Sequence, residues 1–343
     1  MISPRAFAGG VVALLGAGLL AVLFSPTDRA EATPTQFSSS RQCAECHSDI
    51  FAEWEQSQHF DSWTGEAVRA LTNEFSNQDC IDCHAPQSVY VTGLGNRVLP
   101  RTLNRVDGVD CMSCHLMNDG RMAGTTTNES VACRPVADRG LGSVEHCTGC
   151  HNQHGTVDQW RASEYPDRGI GCVDCHMPHI DDDPSKRRTH FMHGGTSLDN
   201  LQRAVTLEVV EEDGAWVAYV ENVYAGHTFP TDERSRAADV FYRELGGDGE
   251  ASGPWRHVHR FRMPYRHEAD LETTLLEAHE RRRIPILDGP LPFIGSGNQP
   301  EGEAVDGTIE VALFYMRKPY FTSLEEPDPS ADATLVHSVK VGE

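Results

Sequence analysis

Apolar residues are scarce in this chain: only 39% of its 343 positions are hydrophobic. That length allows one large domain or two ordinary ones, but the composition offers no generous oily core. Basic residues are also scarce, 29 Lys and Arg against 51 Asp and Glu, for a formal charge of −22. The shortage argues against nucleic acid as a partner, because a phosphate-binding surface needs clustered Lys and Arg. It argues equally against docking on anionic lipid. The balance suits a soluble protein that meets basic or neutral partners.

Cysteine, by contrast, is abundant, with eleven in the chain. Ten of them form five Cys-x-x-Cys pairs, each followed at once by His: CAECH (43–47), CIDCH (80–84), CMSCH (111–115), CTGCH (147–151) and CVDCH (172–176). This is the attachment signature of c-type haem. A zinc ribbon has no need of a His after every pair, and a disulfide scaffold would not repeat one spacing five times. The expected cofactors are five covalently bound haem c groups. Their anchors are Cys43, Cys46, Cys80, Cys83, Cys111, Cys114, Cys147, Cys150, Cys172 and Cys175. The proximal iron ligands are His47, His84, His115, His151 and His176. With about one motif per 32 residues, the haems must pack near one another and supply much of the core themselves.

Residues Ala6 to Phe24 are apolar or Gly throughout, behind Arg5, and Ala30-Glu31-Ala32 offers a small-x-small cleavage site. Residues 1–32 therefore read as a secretory signal peptide, with an uncleaved membrane anchor as the alternative. Both place the rest of the chain in the periplasm or at the cell surface. Residues 33–200 are expected to form a mainly α and irregular multihaem domain. Residues 201–343 are expected to form a small antiparallel, sandwich-like β domain. Its candidate strands are Ala204–Val210, Ala215–Val223, Asp239–Glu244, His257–Met263, Ile309–Tyr315 and Ala333–Val341, with a hairpin signal at Asp213-Gly214. Leu287–Gly307 reads as loop. Ser48–Trp63 reads as one helix.

An internal repeat is visible. CAECH precedes Glu53-Trp54-x-x-Ser57-x-His59 and then CIDCH-Ala85-Pro86, while CTGCH precedes Gln159-Trp160-x-x-Ser163-x-Tyr165 and then CVDCH-Met177-Pro178. The sixth iron ligand decides function, and twelve further histidines compete for it. His59, His190 and His227 are the leading candidates, with His154, His179 and His146 behind them and His193 competing with His190. On a continuous helix His59 would lie about 18 Å beyond His47, so it would serve another haem. His154 and His179, three residues past their proximal neighbours, would do the same. His257, His259, His267, His279 and His337 read as ordinary surface or strand residues. Cys133 reads as a plain thiol, with thiolate ligation as the alternative. Asp181–Asp183 and Arg281–Arg283 read as solvated charge runs.

Taken together, CAECH-x₆-W-x-x-S-x-H, CIDCHAP, GVDCMSCH, GCVDCHMP and GHTFPTDERSR (226–236) resemble the exported multihaem cytochromes of the cytochrome c-554 type over about residues 41–245. The resemblance implies His59, His190 and His227 as distal ligands. It departs in having five motifs where the type member has four, and in Tyr165. The implied function is electron carriage between redox partner proteins through mostly bis-His haems, and the acidic balance of the chain points to basic docking surfaces on those partners. One rival is a reductase of a nitrogen or sulfur compound with one open haem, although no Cys-x-x-Cys-Lys is present. The other is a homo-oligomer, a subunit of an extracellular cytochrome filament.

Overall fold

The computed structural model describes residues 37–231, 234–265, 267–268, 270–288, 302–318 and 328–342. The expected N-terminal signal or anchor lies outside them, as do Asp232 and Glu233 and most of the Leu287–Gly307 stretch. Among the described residues no helix is long and apolar enough to cross a membrane.

Up to about residue 204 the chain is a succession of short helices and long irregular segments. All five Cys-x-x-Cys-His motifs sit on helical turns: Ser40–Glu45 running into the first, then Gln78–Cys80 with Ile81–His84, Cys111–His115, Val144–His151 and Cys172–His176. One helical turn brings residues three and four apart onto one face, which is the geometry two thioethers and one imidazole need. The caps are specific. Asp110 accepts from the Ser113 amide at 2.9 Å and is held by Arg101 at 2.7 Å. Asp174 accepts from the Gly171 amide at 2.8 Å. Two short strands, β1 (Ala123–Gly124) and β2 (Val136–Ala137), pair in parallel.

The helix expected over Ser48–Trp63 is broken. It runs Ser48–Trp54, and a separate turn covers Asp61–Thr64. The Ser57 hydroxyl donates to the Trp54 carbonyl at 2.7 Å and accepts from the Phe60 amide at 3.3 Å. Such local bonds compete with the helical ladder.

From Val205 the chain is antiparallel sheet. Strands β3 (Val205–Glu212), β4 (Ala215–Asn222), β5 (Ala237–Glu244), β6 (Arg256–Phe261), β7 (Arg281–Pro285), β8 (Leu287–Asp288), β9 (Glu303–Ala304), β10 (Ile309–Met316) and β11 (Thr334–Val341) follow in order. They form a sheet β11-β10-β5-β6, a sheet β3-β4-β7 and the small pair β8-β9. The hairpin turn has both central residues at positive φ, Asp213 at 53° and Gly214 at 81°, as a two-residue turn between twisted strands requires. One buried cluster joins Val205, Ala218, Val220 and Ile284 of the smaller sheet to Val240, Val258, Val311 and Leu313 of the larger.

Two expectations need correction here, and a third gains detail. Arg281–Arg283 is not a free charge run but edge strand β7: Arg281 and Arg283 reach Glu208 and Glu212 of β3, each at 2.7 Å, and Arg281 lies over Tyr219. Charged side chains on an edge strand also discourage pairing with another chain. The stretch read as loop contains the β8-β9 pair and a buried Val305. His257 and His259 are strand residues, one of the two expected readings, and both are buried. The His257 Nε2 atom lies 2.8 Å from Asp239, which also takes two bonds from Arg260.

The large apolar core thus belongs to the β part. Among the described residues of the helical part, the buried apolar cluster is small, Phe75, Ile81 and Ala85, and other buried side chains such as Trp54, Val98 and Val157 lie outside it. This is the distribution expected if porphyrin faces complete the interior.

Candidate haem-binding site

None of the ten motif cysteines forms a disulfide. They lie close to one another across motifs. The side chains of Cys43 and Cys111 are within hydrogen-bond reach, as are those of Cys147 and Cys172, and of Cys83 and Cys150. Cys114 is near enough to Cys147 and Cys150 to act on them electrostatically. The first motif therefore abuts the third, and the fourth abuts the fifth, the second and the third.

The histidines form pairs. His59 faces His151 with ring centroids 6.0 Å apart, His190 faces His115 at 6.4 Å, and His227 faces His176 at 6.2 Å. Two Fe–N bonds of about 2.0 Å in line, with about 1.1 Å from each nitrogen to its ring centre, separate two axial imidazoles by about 6.2 Å. Direct ring stacking would be closer, so each gap fits one iron with its porphyrin. His193, the competitor of His190, has a different role: its carbonyl accepts from His176 Nδ1 at 2.5 Å.

Ring orientation follows from backbone carbonyls. The Nδ1–H of His84 donates to Ser62 at 2.8 Å, that of His115 to Ala123 at 2.8 Å, that of His227 to Thr228 at 2.9 Å and that of His190 to Arg188 at 3.2 Å. Each bond fixes the tautomer and leaves the Nε2 lone pair for a metal. Burial also keeps four of the candidate ligand rings neutral. It lowers the pKa of His59 to about 3, aided by His151, His176 and His84, and that of His190 to about 4, aided by His115. Desolvation likewise lowers His115 and His176. A neutral imidazole is the form that binds iron.

The remaining candidates are placed as follows. His179 Nδ1 donates to the Lys186 carbonyl at 2.7 Å. His154 lines a cleft with Gln159, Thr231 and Arg236. His146 is packed edge-on against Tyr90, with neither ring nitrogen hydrogen-bonded. His47 is exposed beside the exposed Cys46. The His84 ring lies 5.5 Å from that of Phe75, which stacks on Trp63. Tyr165 takes a structural role where the first repeat has His59. It is buried, donates to the Tyr224 carbonyl at 3.0 Å and packs on Gly226, next to His227.

The sequence reading missed how the ligand-bearing segments are held. Asn222 donates to the His227 carbonyl at 2.9 Å, and Phe229 exchanges two backbone bonds with Leu276, tying the GHTFP segment to the β part. Ser62 is a second missed residue. Its hydroxyl lies 2.6 Å from the His59 carbonyl, 2.9 Å from that of His84 and 3.0 Å from the Val109 amide. Gly108, at φ +60°, packs so closely here that a Cβ would meet the His59 carbonyl oxygen at 2.4 Å. A lone Ser and a lone Gly carry no pattern that singles them out.

Repeated Cys-x-x-Cys-His turns, facing imidazole pairs and a helical part with little apolar core define a multihaem c-type cytochrome, a class that serves electron transport. Residues 42–116 match the family model described as cytochrome c554 and c-prime. Over that segment, which holds the first three motifs, the chain is similar to this family. Its fold is similar to the crystal structure of a penta-heme cytochrome c552 from Thermochromatium tepidum, with a TM-score of 0.60 and 18% identity, over 88% of this chain and 98% of that one. At that identity the likeness is one of fold. No curated protein sequence matches the chain.

Proposed function

We propose that this chain carries electrons one at a time between redox partner proteins outside the cytoplasm, through five covalently bound haem c groups. The ten motif cysteines would anchor them and His47, His84, His115, His151 and His176 would bind iron on one face. His190, His59 and His227 would bind on the other face opposite His115, His151 and His176. The observation that carries this reading is the spacing of the three ring pairs, 6.0 to 6.4 Å, with His59, His115, His176 and His190 held neutral by burial. Bound haem supplies a reversible one-electron couple, and filled axial positions leave no place for substrate. His179 and His154 are the candidates for further sixth positions; His179 is supported by the same Nδ1-to-carbonyl bond that orients the paired rings.

Residues 33–200 would be the haem domain and 201–343 the β domain, whose two sheets around one core support a sandwich-like reading. Basic partner surfaces are proposed from the −22 charge. The reductase alternative centres on the haem of CIDCH, because His84 lies against the apolar Phe75–Trp63 stack. Spin-state spectroscopy with CO titration of the ferrous protein tests both. All-low-spin haems that bind no CO are the expected result for a carrier; a high-spin haem that binds CO would return the chain to catalysis.

A further inference from the structure

The two copies of the internal repeat make the same pair of contacts at two different sites. In the first copy Trp54 Nε1–H donates to the Val109 carbonyl at 2.8 Å, two residues ahead of Cys111. In the second, Trp160 Nε1–H donates to the Ile170 carbonyl at 3.1 Å, two residues ahead of Cys172. The first copy thus belongs with the third motif, not with CIDCH as the sequence order suggested. The thiol contacts agree, since Cys43 meets Cys111 as Cys147 meets Cys172.

The residue before each tryptophan faces the other way. Glu53 takes Arg187 through two bonds of 2.7 and 2.8 Å and accepts from the His190 backbone amide at 2.8 Å. Gln159 Oε1 accepts from the hydroxyls of Thr228 and Thr231 at 2.9 and 2.6 Å. Those loops carry His190 and His227, the rings that face His115 and His176. Each short helix therefore grips both sides of one gap. Tryptophan holds the segment entering the proximal motif, and its neighbour holds the loop bearing the opposite histidine.

We infer that Glu53 and Gln159 are equivalent positioning residues, each fixing the distal ligand of the haem whose proximal motif is fixed by the adjacent tryptophan. The inference rests on the ligation proposed above. Both positions need an acceptor because both loops present donors. They differ in charge: Glu53 is an anion balanced by Arg187, and Gln159 is neutral. Replacing Glu53 by Gln keeps an acceptor for the His190 amide but leaves the Arg187 cation without its counter-charge. A cation near an iron favours the ferrous state.

The test uses holoprotein variants, read by CO titration of the ferrous form, by electron paramagnetic resonance of the ferric form and by redox titration. His190→Ala and His227→Ala are the controls, each expected to create CO binding worth one haem. If they do not, the ligation reading fails. If they do, Glu53→Ala and Gln159→Ala are each expected to raise CO binding at one haem, with the other signals kept. Wild-type spectra and potentials in both variants would overturn the inference. Should Glu53→Ala yield no holoprotein, Glu53→Gln decides. Low-spin haems with one midpoint potential moved upward would support the inference, and five unmoved potentials would overturn it.

Discussion

His59 and His151 face each other across 6.0 Å although they belong to different copies of the repeat. The His59 ring is partly buried, its Nδ1 is enclosed without a hydrogen bond, and burial holds it neutral. On the proposed ligation His59→Ala opens the haem of CTGCH. The expected outcome is one high-spin haem and CO binding worth one haem, with His115 and His176 unaffected. An unchanged ferric spectrum would remove His59 from the ligand set.

Ser62 joins three haem motifs through one hydroxyl and one carbonyl. Ser62→Ala removes the bonds to the His59 and His84 carbonyls and to the Val109 amide, and should cost about 1–3 kcal/mol in stability. Redox titration should show the potentials of the CIDCH and CTGCH haems displaced and that of the CVDCH haem unmoved. A uniform shift of all haems would mean general loosening instead.

Gly108 tests the same junction by steric means. Gly108→Ala adds a methyl group to a left-handed position and drives it onto the His59 and Phe60 carbonyl oxygens. The expected outcome is a severe loss of haem-loaded protein, measured as haem absorbance per protein. Near-normal loading would show that the junction yields.

Asp239 tests the β part. It is wholly buried, and although burial opposes its charge, Arg260 and His257 outweigh that and lower its pKa to about 2 from 3.8. A depressed carboxylate stabilises the fold fully above the unfolded pKa, and the contribution fades as pH falls from about 4 through 2. The loss should be on the order of 2 kcal/mol across that window. Asp239→Asn should cost about 3–5 kcal/mol at neutral pH, because Arg260 keeps its charge without a partner. Denaturant unfolding followed by circular dichroism at pH 6, 3 and 2 checks both.

Electron transfer to a basic partner should slow steeply as salt rises, since charges farther apart than about 10 Å are screened at 0.1 M. Stopped-flow rates across ionic strength measure this, and a flat profile would remove acidic docking from the proposal.

Much of this was legible in the sequence because the chemistry is local. Two cysteines and a histidine within five residues declare a haem anchor wherever the chain then goes. Most strands were legible too, since a β-rich run such as β3, β4 or β10 is a property of each segment alone. Pairing between distant segments was not. His190 and His227 could be nominated, but nothing in their spacing says which iron each would meet. The repeat aligns CIDCH with CVDCH, yet Trp54 holds the segment before CMSCH as Trp160 holds that before CVDCH, because chain order and spatial order part at the second motif. β7 was hidden by Arg281–Arg283, whose charges look like solvent-facing residues until Glu208 and Glu212 are seen across β4. The break after Trp54 was hidden for a smaller reason: one serine hydroxyl outcompetes the helical ladder.

The loops held by Glu53 and Gln159 both come after the last Cys-x-x-Cys-His motif in the chain. On the proposed ligation this imposes an order on assembly. All ten thioether bonds can be made on a growing, unfolded chain, while the irons of the third and fifth haems keep an open face until residues 190 and 227 have followed. The first of these closes when the helix Ser48–Trp54 captures Arg187. The second closes only after Phe229 has docked on Leu276, so folding of the β part seals the last haem. A chain ending before Ala225 would mature as a fully loaded cytochrome with one iron exposed to any small ligand around it.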